Sequence, residues 1–182
     1  MEKPKTILRE QIELPGSNQP MQPAKLSDEI LQMFNARIGD EYSAHYLYNS
    51  AYNWCVDKNY KKASAFFKGE ASAELEHALS LQNFITQWNC IPVIPKVETH
   101  HTFNSLIDII NKAYKIEFDL YKAYEADSRK ILAKDLSIFD FLQQFRKIQT
   151  DSVAEFSDLL NALELIDPSD PFQILYFEQT YF

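Results

Sequence analysis

Prolines leave two long stretches of this chain untouched. All eight lie at Pro4, Pro15, Pro20, Pro23, Pro92, Pro95, Pro168 and Pro171, so residues 24–91 and 96–167 contain none. Proline removes a backbone donor and breaks helix interiors, so two proline-free stretches of this length invite helices. Glycine occurs only as Gly16, Gly39 and Gly69, which excludes a turn-rich β architecture.

Within those stretches apolar residues recur in steps of three and four. The spacing predicts a first helix over about 28–57 with Ser27 as N-cap, its inward line Leu31, Phe34, Ile38, Glu41, His45, Tyr48, Tyr52 and Cys55. After a tight turn at Lys58-Asn59-Tyr60, a second helix spans about 61–88 with Phe67, Glu70, Glu74, His77, Leu81, Phe84 and Trp88 inward. A third covers about 104–133, with Leu106, Ile110, Ala113, Glu117, Leu120, Tyr124, Ser128 and Ile131 inward. Asp135 caps a fourth over about 136–166, with Ile138, Leu142, Phe145, Gln149, Ser152, Phe156, Leu159 and Leu163 inward. The connection WNCIPVIPKVETHHTF reaches about 50 Å when extended, enough to run along a helix of about 43 Å. The expectation is an all-α four-helix bundle with one long crossover, the third helix starting at the same end as the first. The expected division is an extended arm over residues 1–26, the bundle over 27–167, and an aromatic tail or short helix over 168–182.

Every apolar seam is broken by polar groups at one depth. Glu41 lies 18 residues before Asn59 and His77 lies 18 after it; Glu117 lies 17 before Lys134 and Ser152 lies 18 after it. At 1.5 Å per residue all sit about 25 Å from the turns, near mid-bundle. No inward position carries Lys or Arg. Buried carboxylates without counter-charge cost several kcal/mol each, against a net domain stability of about 5–15 kcal/mol. Positive charge from outside the sequence would relieve this. Glu74 and His77, as Glu-x-x-His, share one helical face. Hard oxygen donors with one imidazole suit iron or manganese, whereas zinc would recruit more His or Cys. The blander alternative is a set of protonated or hydrogen-bonded core carboxylates. His45 and Glu70 read as residues beside such a site rather than ligands, and Tyr48 as a hydrogen-bonding neighbour or a core tyrosine.

The net charge of −8 and pI near 5.0 argue against gripping nucleic-acid phosphates. No apolar run reaches the length of a membrane span, and residues 1–25 lack the apolar segment of a signal peptide. Two cysteines, Cys55 and Cys90, make no disulfide framework, so the expected location is cytoplasmic.

The chain resembles non-haem ferritin over about 27–182. Asp40-Glu41-Tyr42-Ser43-Ala44 with Tyr48 and Trp54-Cys55 is similar to the first ferritin helix. Phe66-Phe67 through Ala73-Glu74-Leu75-Glu76-His77-Ala78 is similar to the second, Glu117 falls where the third carries its ligand, and Phe141-Leu142-Gln143 with Gln149 resembles the fourth. Leu175-Tyr176-Phe177 resembles the start of a short fifth helix. The resemblance implies that Glu41, Glu74 and His77 hold a first iron, and that Glu74 bridges to a second held by Glu117. Gln149 would then hold water or dioxygen, with Tyr48 beside the centre. It implies ferroxidase activity, with Fe(II) and dioxygen as partners and Fe(III) mineral stored in a self-assembled cage of twenty-four subunits. Leu75 stands where a haem methionine would be, so no haem is expected, and Ala73, Ile148 and Ser152 replace acids of a third iron site. Gln149 and Ser152 stand where bacterioferritins and several di-iron oxygenases repeat Glu-x-x-His. The other readings are a di-iron oxidase or oxygenase acting on an organic substrate, and a structural helical module with a vestigial site.

Overall fold

The computed structural model describes residues 22–182. The proposed arm lies almost wholly outside them. Five helices follow in order: α1 Asp28–Asp57, α2 Lys61–Gln87, α3 Leu106–Ile131, α4 Leu136–Leu163 and α5 Pro171–Tyr181. The starts of α1, α3, α4 and α5 obey side-chain capping, which satisfies amide donors orphaned in a first turn. Ser27 Oγ accepts from the Ile30 N–H at 3.4 Å, Ser105 Oγ from Asp108 at 3.1 Å, and Asp135 Oδ1 from Ile138 at 3.1 Å. Asp170 Oδ1 accepts from Phe172 at 2.9 Å, with Pro171 in the first helical turn. Ser105 and Asp135 therefore set α3 and α4, and α3 is shorter at both ends than its periodicity predicts. α4 stops at Leu163, three residues before the expected end, in a turn that precedes Asp167-Pro168. Among the described residues, the left-handed non-glycine positions are Asn59 (φ 63°) and Asn89 (φ 57°), just beyond the ends of α1 and α2, where asparagine tolerates that conformation.

α1 and α2 form one antiparallel hairpin, and α3 and α4 the other. The crossover climbs along α1: Asn35 Oδ1 accepts from the Val93 N–H at 2.9 Å, Gly39 lies against Pro95, and Ser50 Oγ accepts from the His101 N–H at 3.3 Å. From Asn35 to Ser50 is about 22 Å of helix. The crossover therefore delivers α3 to the end where α1 finishes, and α1 and α3 run antiparallel. This corrects the expectation that both start at one end. The turns of the two hairpins lie at opposite ends, and the polar groups still share one level because about 25 Å is close to half a helix length.

All eight inward positions expected on α3 are buried. On α1 the line is displaced: Ile30, Ala44 and Ala51 are buried, whereas Leu31, His45 and Tyr52 are half-buried. Small alanines let α1 and α2 approach closely, so the larger neighbours slide to the rim. On α2 the fully buried set adds Ala71, Ala78 and Ile85, and Glu70, His77 and Trp88 stay half-buried. On α4, Ser152 and Leu163 are half-buried rather than inward. Cys55 is buried and Cys90 half-buried, both free. α5 is anchored by Phe177 and Glu178, both fully buried. Among the described residues no helix is long and apolar enough to cross a membrane.

Candidate metal centre

Glu41, Glu74, Glu117 and Gln149 each project from a different helix and are buried to 1% exposure or less. Three of the expected residues come together tightly. One ligand atom each from Glu41, Glu74 and His77 lie within 4.8 Å of one another. His77 Nδ1 is 3.2 Å from Glu74 Oε2 and 3.7 Å from Glu41 Oε2. Glu41 Oε2 is a buried acceptor with no hydrogen-bond partner among the described residues. An orphaned carboxylate oxygen facing another carboxylate and an imidazole is a donor set suited to a divalent cation.

Glu117, buried on α3, keeps different company. Its Oε1 accepts the Tyr48 hydroxyl. With the Gln149 amide turned so that its nitrogen meets acceptors, that nitrogen donates to Glu117 Oε2 at 2.7 Å and to the Glu117 carbonyl at 3.3 Å. Both Glu117 oxygens are thus engaged, while Glu41 keeps one free. Tyr48 is fully buried, its ring stacked between Phe67 at 6.0 Å and Phe156 at 5.9 Å.

Apolar periodicity places Tyr124 only on the inward line of α3. In the structure its hydroxyl donates to Glu41 Oε1. The two tyrosines cross the bundle: Tyr48 on α1 binds Glu117 on α3, and Tyr124 on α3 binds Glu41 on α1. Each tyrosine follows the glutamate of its own helix by seven residues, two turns, so glutamate and tyrosine share a face. That repeated spacing is the signal in the sequence that could reveal Tyr124.

The charges of the centre are arranged by burial and hydrogen bonds. Burial raises the Glu74 carboxyl well above its ordinary range, and the adjacent Glu41 charge raises it further. Burial pushes Glu41 the same way, but the adjacent His77 and Glu74 and the Tyr124 hydroxyl outweigh it and hold Glu41 low. Burial opposes a charge on His77, yet the neighbouring Glu41 and Glu74 carboxyls bring its pKa up to about 10. Burial lifts Glu117 to about 7, against the Tyr48 hydrogen bond that lowers it. Near neutral pH the metal-free centre therefore holds an imidazolium at His77, between a Glu41 shifted toward its ionised form and a Glu74 shifted toward its protonated form.

The neighbours sort themselves plainly. His45 Nδ1 lies 2.6 Å from the Ala71 carbonyl, a contact from α1 to the α2 backbone, and is outside the cluster. Glu70 is also outside it; burial and then the charge of Glu155 raise its pKa to about 7. Ser152 is half-buried on α4. Arg37, absent from the inward line, pairs with Asp40 at 3.1 Å and Asp127 at 3.5 Å, and its guanidinium lies 6.0 Å from the Tyr124 ring centroid.

Four helices joined through a full-length crossover, with carboxylates and an imidazole at mid-depth, define a ferritin-like helical bundle. Residues 31–166 match the family model for the ferritin-like domain. Over 143 residues, 78% of this chain and 86% of the relative, the sequence is 30% identical to the bacterial non-heme ferritin of Campylobacter jejuni. It is 26% identical over 146 residues to the bacterial non-heme ferritin of Escherichia coli, covering 79% of this chain and 88% of that protein. The crystal structure of an open pore ferritin from the hyperthermophilic archaeon Archaeoglobus fulgidus shares the fold, with a TM-score of 0.79 over 87% of this chain and 98% of that chain at 21% identity. The chain belongs to the ferritin family.

Proposed function

We propose that this protein is an iron-storage ferritin with ferroxidase activity. It oxidises Fe(II) with dioxygen at a di-iron site inside the bundle and deposits Fe(III) mineral in a homo-oligomeric cage of twenty-four subunits. The observation that carries this reading is the convergence of donor atoms from the buried Glu41 and Glu74 and the half-buried His77 within 4.8 Å of one another. Iron is here substrate and cargo. Glu41, Glu74 and His77 take the first Fe(II), while Glu74 and Glu117 receive the second. Each Fe(II) gives up one electron, and dioxygen accepts the pair together with two protons to leave as hydrogen peroxide. Carboxylates favour the product because they stabilise Fe(III) more than Fe(II) by charge.

The two positions are unequal, which supports storage over resident-cofactor chemistry. Glu41 presents an unengaged oxygen, so the first position is ready. Both Glu117 oxygens already accept hydrogen bonds, from Tyr48 and Gln149, which draw on the charge an ion there would share. An ion held there is released more readily, as suits iron in transit to a mineral. The assembly occupies the cytoplasm.

The test is aerobic addition of Fe(II) to metal-free protein, following oxidation and particle size together. The expected result is accelerated oxidation, a closed cage, and uptake far beyond a pair of irons per chain. Uptake that stops at one pair per chain would instead fit an oxidase of organic substrates. Oxidation no faster than in buffer, or an unchanged rate in Glu74→Ala, rejects the ferroxidase reading.

A further inference from the structure

The Glu41 carboxyl is held from one side only. Its Oε1 accepts the Tyr124 hydroxyl, whereas Oε2, fully buried, has no hydrogen-bond partner among the described residues. His77 Nδ1 stops 3.7 Å short of Glu41 Oε2, while the same nitrogen lies 3.2 Å from Glu74 Oε2. Buried acceptors in folded proteins close on the nearest donor. The last torsion of a glutamate is broad and offers little resistance to that closure. The restraint on Glu41 comes from outside its own side chain, and the Tyr124 hydroxyl supplies it.

Resting on the proposed role of Glu41 as a ligand to the first iron, we infer that Tyr124 is a positioning residue that holds the Glu41 carboxyl off His77 and keeps Oε2 unpartnered for the incoming ion. Tyr124 can do this because packing fixes its own place without help from Glu41. The ring is fully buried, stacks on Phe145 at 5.1 Å and 16°, and has the Arg37 guanidinium 6.0 Å from its centroid. Phe145 also stands edge-on to the His77 ring at 6.1 Å and 75°, so one α4 side chain packs against both groups that compete for Glu41. Glu41, Glu74 and His77 lie on α1 and α2, whereas Tyr124 lies on α3. The hydroxyl thus ties the first position to the other hairpin. A hydrogen bond also draws off some of the carboxylate charge, which by itself weakens an ion's hold. Partners that orient a ligand nevertheless raise metal affinity by about 10–100-fold, so positioning sets the sign.

Mn(II) is the probe, because the free ion gives an intense spin resonance that fades on binding and needs no turnover to read. It is added without oxygen to the full-length metal-free protein. Wild type takes up the ion, and Glu74→Ala loses this uptake. No binding in wild type, or equal binding in Glu74→Ala, rejects the metal-site reading itself and this inference with it. Tyr124→Phe keeps the ring and removes the hydroxyl, so affinity for the ion falls by about tenfold or more. In metal-free crystals of that variant, Glu41 Oε2 closes to hydrogen-bond distance of His77 Nδ1. A purely structural role for Tyr124 would lower the unfolding temperature and leave both readings alone. Unchanged or tighter binding in Tyr124→Phe overturns the inference, as does an Oε2 still held apart from His77 in its crystals. Should Tyr124→Phe lose its helical circular dichroism, crystals of wild type soaked in Mn(II) decide. A Tyr124 hydroxyl still bonded to Glu41 beside the ion supports the inference, and one released from Glu41 overturns it.

Discussion

His77 Nδ1 lies 3.2 Å from Glu74 Oε2, and this pair takes the place of a metal ion in the metal-free protein. The buried acids call for compensating charge, and from the sequence alone that charge had to come from outside. The structure modifies this: the His77 imidazolium offsets them first. On the proposed ligation a divalent ion must displace that proton, because it binds a neutral imidazole and carboxylates. With His77 at about 10 the imidazole is protonated near neutrality, and burial shifts Glu74 toward its protonated form as well. Binding of the first ion is therefore expected to release at least one proton near pH 7 and to tighten as pH rises. Titration calorimetry in buffers of differing ionisation enthalpy measures this; binding without proton release contradicts the assignment.

The same burial gives the metal-free protein a distinctive pH response. Glu117 is raised to about 7 by burial, from an ordinary value of 4.5. A carboxyl whose folded pKa is raised contributes stability fully present below its unfolded pKa, and loses it as pH climbs through the folded one. Each pKa unit is worth about 1.4 kcal/mol, so Glu117 represents a few kcal/mol at most. Glu70, raised in the same direction but partly solvated, adds less. Unfolding temperature of the metal-free protein should therefore fall between about pH 4.5 and pH 7, and a divalent ion should restore it at the upper end. A metal-free protein that gains stability across that window would contradict the placement of these carboxyls.

How much of this is legible in the sequence depends on whether the deciding contact is local. α3 is legible along its whole inward line, because one apolar stripe faces the bundle. Periodicity misplaces Leu31, His45 and Tyr52 on α1 because α2 and the crossover both cover that helix, and alanines take the closest approach. The direction of α3 is not legible at all. A connection of that length reaches either end, and the choice is made by contacts such as Pro95 on Gly39 and His101 on Ser50. The expected site residues Glu41, Glu74, His77, Glu117, Gln149 and Tyr48 lie on lines where polar groups interrupt apolar periodicity, and that interruption marks the depth of the site. Tyr124 escapes because tyrosine does not interrupt such a line, and its partner lies 83 residues away.

The two helical glycines make a paired test. A Cβ at Gly39 would overlap the Pro95 ring, which cannot rotate away, so the crossover would have to lift from α1. Overpacking of this kind costs about 1–3 kcal/mol, against about 1 kcal/mol gained in helix propensity. A Cβ at Gly69 in α2 meets nothing within 4 Å. Thermal unfolding should show Gly39→Ala destabilised and Gly69→Ala stabilised by about 0.5–1 kcal/mol. Equal effects in the two would mean that the crossover does not rest on Gly39.

α2 begins without a cap of its own, since Tyr60 supplies no side-chain bond to its first turn. The fully buried Glu178 of α5 fills the role from 116 residues away: its Oε1 accepts from the Lys62 N–H at 2.6 Å and the Ala63 N–H at 3.1 Å. Lys62 Nζ returns the contact by donating to the Gln179 carbonyl at 2.5 Å. A carboxylate at a helix N-terminus satisfies orphaned amides and meets the positive end of the helix dipole. Removing it by Glu178→Ala should cost about 1–2 kcal/mol, and Glu178→Gln, which keeps an acceptor and loses the charge, should cost less. Amide hydrogen exchange locates the effect: faster exchange at Lys62, Ala63 and along α5, with protection at Glu41 and Glu117 unchanged. Exchange that quickens evenly through the bundle would show that α5 is not docked through this carboxylate.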